Sequence, residues 1–379
     1  MHSQWFGLYL YQIQTMIRST PFYTRLAHVL ISMICMFYLA IIGQTVLAPL
    51  LFAFLFSLLL LPFASFLERK CKLPRSISSI LVLLSLILVI TGIFFLLFSQ
   101  LSELTNDLPA FKQQILIATT EIQDWISNTF QVNNKEQLSY IDNAATEALS
   151  KGTTLIGTTL LSVSSILLFL VFIFLYTFFI LLHRKLLLKF IISLFKEEHT
   201  VIVYDVVAQI QYIVKKYITG LFLQMLIVSI LACIAFQIIG IKYAFLLGLI
   251  TGIFNIIPYI GIFTALLLSS LITFATMDTT HVLFVLASVA AIHLVDANYI
   301  MPKIVGSKVK INTLAALLGL VVGEMVWGIQ GMFLSIPIIA IFKVIFDRVE
   351  GLKPWGLVLG EDETSLEPKM IIENEEPQK

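Results

Sequence analysis

The chain has 379 residues, 59% of them hydrophobic and only 12% charged, with a formal net charge of +1 and a mean hydropathy of +0.96. That leaves too little polar surface to coat a soluble globule, and the near-neutral balance supplies no global field to draw in nucleic acid. The composition predicts an all-α, polytopic helical membrane protein.

Residues 1–28 carry Trp5, Phe6, Tyr9, Tyr11 and Phe22 without a long apolar run. They read as an interfacial segment rather than a signal peptide, because no short apolar core with a small-residue cleavage site follows. Residues 29–98 hold three membrane spans. Pro49 divides a run from Val29 to Ala48 from a second, Leu50 to Leu67, and the two are expected to form a tight helical hairpin. A basic junction, Glu68 to Arg75, leads into the third span, Ile77 to Phe98, near the ~20 residues a bilayer requires. Lys and Arg beside these spans place the N-terminal segment and the junction in the cytoplasm.

Residues 99–158 are predicted to be an extracytoplasmic helical insertion in which acids outnumber bases. Apolar residues step by three and four along Leu101, Leu104, Leu108, Phe111, Ile115, Ala118, Ile122 and Trp125, which is a heptad seam. A shorter seam runs through Leu138, Ile141, Ala145 and Ala148. The pair either buries its own stripe or also packs between subunits. The fourth span, 159–182, ends in His183-Arg184-Lys185 and returns the chain to the cytoplasm. In 183–217, Val203, Val206, Ile210, Ile213 and Tyr217 form an amphipathic stripe that feeds directly into the fifth span.

Residues 218–346 are read as the transport core. Beyond Gly240 the apolar runs become short: Ala244 to Ile257, Ile260 to Ala275, Val282 to Val295, then a hairpin of Leu314 to Val326 and Ile329 to Ile345. Short segments broken by Gly and Pro point to the binding region of a transporter. The remainder, 347–379, is an acidic cytoplasmic tail.

Three constellations in this core carry chemistry. In Asn255-Ile-Ile-Pro258-Tyr259-Ile-Gly261, Pro258 frees the carbonyl of Phe254, so the stretch is either a structural kink or a pathway element. His293 and Asp296 share a helix face at i, i+3. Asp296 is either salt-bridged to Lys303 or a carboxylate that takes up a proton or cation. Glu324 lies at a Gly-rich turn and is an intramembrane acid if the hairpin reaches partway across, but a loop residue if it crosses fully. Cys35, Cys71 and Cys233 lack metal spacing, form no disulfide framework and read as packing residues. The six histidines lack metal spacing too, and there is no Cys-x-x-Cys, phosphate loop or serine-hydrolase elbow. No enzyme, catalytic residue, metal or cofactor is expected.

The run Phe254-Asn255-Ile256-Ile257-Pro258-Tyr259-Ile260-Gly261, followed by Asp296-x-Asn298-x-x-x-Pro302-Lys303-x-Val305-Gly306, resembles the signature of the autoinducer-2 exporter family of bacterial permeases. Gly323, Trp327-Gly328, Gly331-Met332 and Ser335-Ile336-Pro337 continue the likeness in order. Two positions depart from it: the family commonly has Glu where Asp296 stands, and a His-Pro pair at Asn312-Thr313. The resemblance implies about eight membrane segments in the bacterial inner membrane and a homo-oligomer, with pentamers known in the family. It also implies export of a small polar solute such as autoinducer-2 or, in other members, sodium (lithium)/proton antiport.

The stretch from Ala244 to Ile345 is thus expected to form the pathway, with Asp296 and Glu324 as coupling acids. Asn255, Pro258, Tyr259, Gly261, His293, Asn298, Pro302, Gly306, Gly328, Gly331 and Pro337 would shape it. Membrane lipid, a small solute or monovalent cation, the proton and further copies of the chain are the expected partners, and nucleic acid is not. The rival from another class is a non-transporting oligomeric scaffold held together by the heptad seams.

Overall fold

The computed structural model describes residues 21–106, 117, 120, 165–257, 260–277, 279–306 and 311–360. The first 20 residues, the insertion beyond residue 106 apart from those two positions, the start of the fourth span, Pro258-Tyr259 and the acidic tail from residue 361 lie outside the described residues. Among the described residues the architecture is helical, with eleven α-helices. These are α1 (Phe22–Ile42), α2 (Gln44–Lys70), α3 (Arg75–Asn106), α4 (Ser165–Ser193), α5 (Thr200–Ile239), α6 (Ala244–Phe254), α7 (Ile260–Thr276), α8 (Thr279–Val295), α9 (Thr313–Trp327), α10 (Ile329–Arg348) and α11 (Lys353–Leu359). Six helical stretches are long and apolar enough to cross a membrane.

The break between the first two runs falls at Gly43, not Pro49. Pro49 sits inside α2, in the second turn, where it removes a single ladder bond. At Gly43 a Cβ would lie 2.8 Å from the Leu39 carbonyl and 2.9 Å from Leu47 Cδ1, so only glycine fits that joint. Nor do α1 and α2 form a packed hairpin: they meet only around the joint, and most of α1 is exposed. The third span is longer than its apolar core, running on to Asn106.

A layer of α2, α3 and α4 packs through Leu60, Ala64, Val82 and Leu181. At one end of that layer Glu68 bonds Arg184 of α4 and lies 4.0 Å from Arg75 of α3. The α2–α3 turn and the end of α4 therefore sit on the same side.

The amphipathic stripe and the fifth span are one continuous helix, α5, of 40 residues. At ~1.5 Å per residue it extends about 60 Å, roughly twice the hydrocarbon thickness of a bilayer. Its first half packs on α2 and α10 through Val214, Tyr217, Ile218, Leu221, Leu55 and Leu334. Its second half packs on α6, α7 and α8 through Ala232, Phe236, Leu247, Ala265 and Val285. Gly240, at φ 84°, ends it in the left-handed conformation that glycine adopts without steric cost.

The helix after α5 returns along it at close range. A Cβ at Gly248 would lie 2.4 Å from Cys233 Sγ, and one at Gly252 would lie 1.9 Å from Ser229 Oγ. Gly248-x-x-x-Gly252 is thus a small-residue face of the kind that lets membrane helices pack backbone to backbone. Cys233 does serve packing here, whereas Cys35 and Cys71 are exposed.

The run expected to stop at Val295 does not stop there. It continues through two π-helical segments, Asp296–Ile300 and Pro302–Gly306, so residues 280–304 form a stretch long enough to span. Wide turns of this kind tolerate Pro302, whose missing N–H would break a regular ladder. The C-terminal hairpin has the expected limits. Gly328, at φ 61°, makes its turn, and Gly323 and Gly331 cross so closely that a Cβ at Gly331 would fall 1.9 Å from the Gly323 carbonyl.

Candidate functional site

The carboxylate of Asp296 is buried at the point where α8 gives way to the first π segment. Gln224 Nε2, from the middle of α5, donates to both of its oxygens, at 2.9 Å to Oδ1 and 3.0 Å to Oδ2. Asn255 Nδ2, from the end of α6, donates to Oδ2 at 2.9 Å. Three elements far apart in sequence thus converge on one acid. An isolated carboxylate in an apolar interior costs several kcal/mol; here the donors offset part of that cost.

Local structure explains why these groups arrive together. Asn255 is the C-cap residue of α6. The chain turns sharply after it, and a Cβ at Gly261 would lie 2.6 Å from the Phe254 carbonyl and 2.5 Å from Asn255 Cα. Gly261 is therefore required for α7 to start beside the amide. On α6, Thr251 Oγ1 bonds back to the Leu247 carbonyl. At the π turn the N–H of Met301 donates to the Asp296 carbonyl, an i to i+5 pattern that changes the direction of the side chains downstream.

Beside the acid lies a narrow cavity with about 20 Å³ open to the centre of a water molecule, room for one water. Its apolar wall comes from Val228, Ile262, Ala265, Val289 and Ile292, and its polar groups from Thr251, Asn255, His293 and Asp296. Among the described residues, Asp296 has two neutral amides as partners and no cation. The expectation of a salt bridge to Lys303 is not met: the π turns leave Lys303 exposed while the acid points inward. Because each carboxylate oxygen has about two lone-pair sites, Oδ2 is fully used and Oδ1 keeps one open. Such a group can accept a proton or ligate a small cation.

The other predicted residues are distributed differently. Asn255, Gly261, His293 and Asp296 line the cavity. Asn298 is exposed, and its Nδ2 donates to the Leu294 carbonyl at 2.8 Å, occupying an acceptor on its own helix. Pro302 is exposed, and Gly306 closes the second π segment. Glu324 is exposed in the last turn of α9, its carbonyl accepting from the Gly328 N–H at 2.7 Å. Gly328 and Gly331 build that hairpin, and Pro337 is buried within α10. Gln224 was not anticipated. Its only signal is an amide within the apolar run of α5. Among the described residues no cluster of His, Cys, Asp and Glu could hold a metal ion.

The hairpin tip is tied to the N-terminal helices. Trp327 Nε1 donates to the Ala40 carbonyl at 2.9 Å, and the Phe333 ring stacks on Phe52 at 5.2 Å. At the other end Arg348 pairs with Asp205 near the start of α5. Asn312 caps α9, its Oδ1 accepting from the Leu314 N–H at 2.9 Å, so the residue that departs from the His-Pro pattern supplies the helix start itself.

Comparison with known sequences matches residues 30–351 to the AI-2E family transporter profile. The chain belongs to that family. Relatives include the transport-protein candidate YueF of Bacillus subtilis (strain 168), 26% identical over 80% of this chain and 84% of its own. The AI-2 transport protein TqsA of Escherichia coli (strain K12) is 24% identical over 83% of this chain and 90% of its own. A second Bacillus subtilis transport-protein candidate, YrrI, is 36% identical, but the match spans only 34% of this chain and 36% of the relative. The protein is a multi-pass membrane transporter of the AI-2E family.

Proposed function

We propose that this AI-2E family member is a secondary transporter that binds its coupling ion at Asp296, within the crevice enclosed by α5, α6, α7 and α8. The observation that carries the reading is a buried carboxylate held by Gln224 and Asn255 beside a one-water cavity that Asp296 helps to line. Structural acids in membranes pair with cations or sit at interfaces; an acid bonded only by amides keeps its charge available. The cavity admits a proton, a water or a bare monovalent cation such as sodium or lithium. Sodium(lithium)/proton antiport is therefore the activity this geometry supports best.

A second reading is export of a small polar solute such as autoinducer-2, favoured by the likeness to TqsA over most of both chains. It requires the crevice to widen, and α6 and α9, about 16 and 22 Å long at ~1.5 Å per residue, are too short to span the bilayer. The α9–α10 hairpin is then re-entrant. Basic residues at the α2–α3 turn and in the last turns of α4 support placing those ends in the cytoplasm, with both termini on that side of an inner membrane. The exposed apolar faces of α1 and α3 suit lipid and further copies of the chain.

Reconstitution in proteoliposomes separates these readings. Antiport predicts that an inward sodium or lithium gradient drives a luminal pH change, and that Asp296→Asn abolishes it. Efflux of labelled autoinducer-2 that ignores ion gradients would favour the second reading, and no flux of either would favour the scaffold.

A further inference from the structure

His293 lines the same cavity as Asp296, one helical turn earlier and on the same face. Histidine is the usual proton shuttle near neutrality. The surroundings single this pair out. From α5 come Gln224 and Val228, from α6 Thr251 and Asn255, and from α7 Gly261, Ile262 and Ala265. None of these carries a charge or titrates. Lys303, farther along the π segments, is exposed. Among the described residues, the cavity therefore holds one acid, one imidazole and space for one water.

We propose that His293 and Asp296 form a proton relay, with the cavity water as the bridge, that loads and unloads the transport carboxylate. Resting on the coupling role of Asp296 given above, the inference assigns a step to a second residue. In the loading direction an N–H of the imidazolium gives its proton to the water. The water passes one of its own protons to Asp296, leaving neutral imidazole and a carboxylic acid. The proton lands on Oδ1, since both lone-pair sites of Oδ2 are held by Gln224 and Asn255. Protonation removes the charge that holds a cation, so a bound proton and a bound cation exclude one another at this oxygen. His293 is thus the proton donor and acceptor of the site, and Asp296 is where proton and cargo compete.

The test compares wild type, His293→Gln and Asp296→Asn in proteoliposomes. Two fluxes are read: sodium-driven proton movement between pH 5.5 and 8.5, and sodium-for-lithium exchange, which moves no net proton. The relay predicts that His293→Gln slows proton-coupled flux by about a hundredfold or more and flattens its pH profile, while exchange stays within about twofold of wild type. An unchanged pH profile and rate in His293→Gln, with Asp296→Asn inactive, overturns the relay and leaves the coupling acid standing. Equal loss of both fluxes in His293→Gln and again in His293→Asn assigns His293 a structural role and also overturns it. Absence of proton flux in wild type overturns relay and coupling role together.

Discussion

Two acids of this chain interrupt apolar helices, and the fold treats them in opposite ways. Asp296 is drawn inward, with donors arriving from positions 72 and 41 residues away in sequence. Glu324 stands exposed at the tip of the α9–α10 hairpin, whose interior is occupied by the Gly323–Gly331 crossing. The difference lies in what each neighbourhood leaves open. A hairpin packed backbone to backbone has no room for a side chain between its arms, so its acid is expelled. Into the crevice of α5 to α8 Asn255 and Gln224 bring donors, and its acid is received. An interrupted apolar run therefore identifies a place where chemistry is affordable; convergence of distant donors decides which place is used.

The sharpest way to break this contrast is to neutralise each acid. Asp296→Asn should abolish ion-driven flux, whereas Glu324→Gln should remain within about twofold of wild type, both measured per folded protein in proteoliposomes. Comparable losses would mean that the hairpin tip belongs to the pathway. Gly331→Val tests the packing side. With only the Gly323 backbone to collide with, the new side chain should cost about 1–3 kcal/mol or more, read as a lower unfolding midpoint in detergent.

Gln224→Leu sharpens the donor argument. It leaves Oδ1 without a donor, and losing a buried partner costs about 1–3 kcal/mol. Flux should fall about tenfold while the protein remains folded by size exclusion. The smallest effect is expected for Asn298→Ala, which removes one exposed bond to the Leu294 carbonyl and should shift stability by about 1 kcal/mol or less. A large flux loss there would move the site outward along the π segments.

Much of this was legible in the sequence because it depends on local pattern. The alternating steps through Val203, Val206 and Ile210 foretold that the amphipathic stripe would join the fifth span, and α5 is continuous. Asn255, Gly261, His293 and Asp296 were marked by polarity or glycine in short apolar runs, and they meet at one cavity. What escaped depends on tertiary geometry. Gln224 looked like one more polar residue in a span until α8 brought a carboxylate to it. Pro49 carried a stronger break signal than Gly43, yet proline near a helix start costs little, and the clash that forces glycine at position 43 comes from the Leu39 carbonyl and Leu47. The apolar run looked finished at Val295, yet the π turns carried the helix on past Pro302.

One element joins the hairpin to the crevice without a relay of side-chain switches. Asp205, paired with Arg348, and Gln224 sit on the same unbroken rod, about 28 Å apart at ~1.5 Å per residue. Pivoting that rod by ~5° about the Asp205 end would carry the Gln224 amide roughly 2.5 Å, enough to take it off the carboxylate. Small tilts of α5 about that end would thus be levered into the making and breaking of hydrogen bonds at the buried carboxylate.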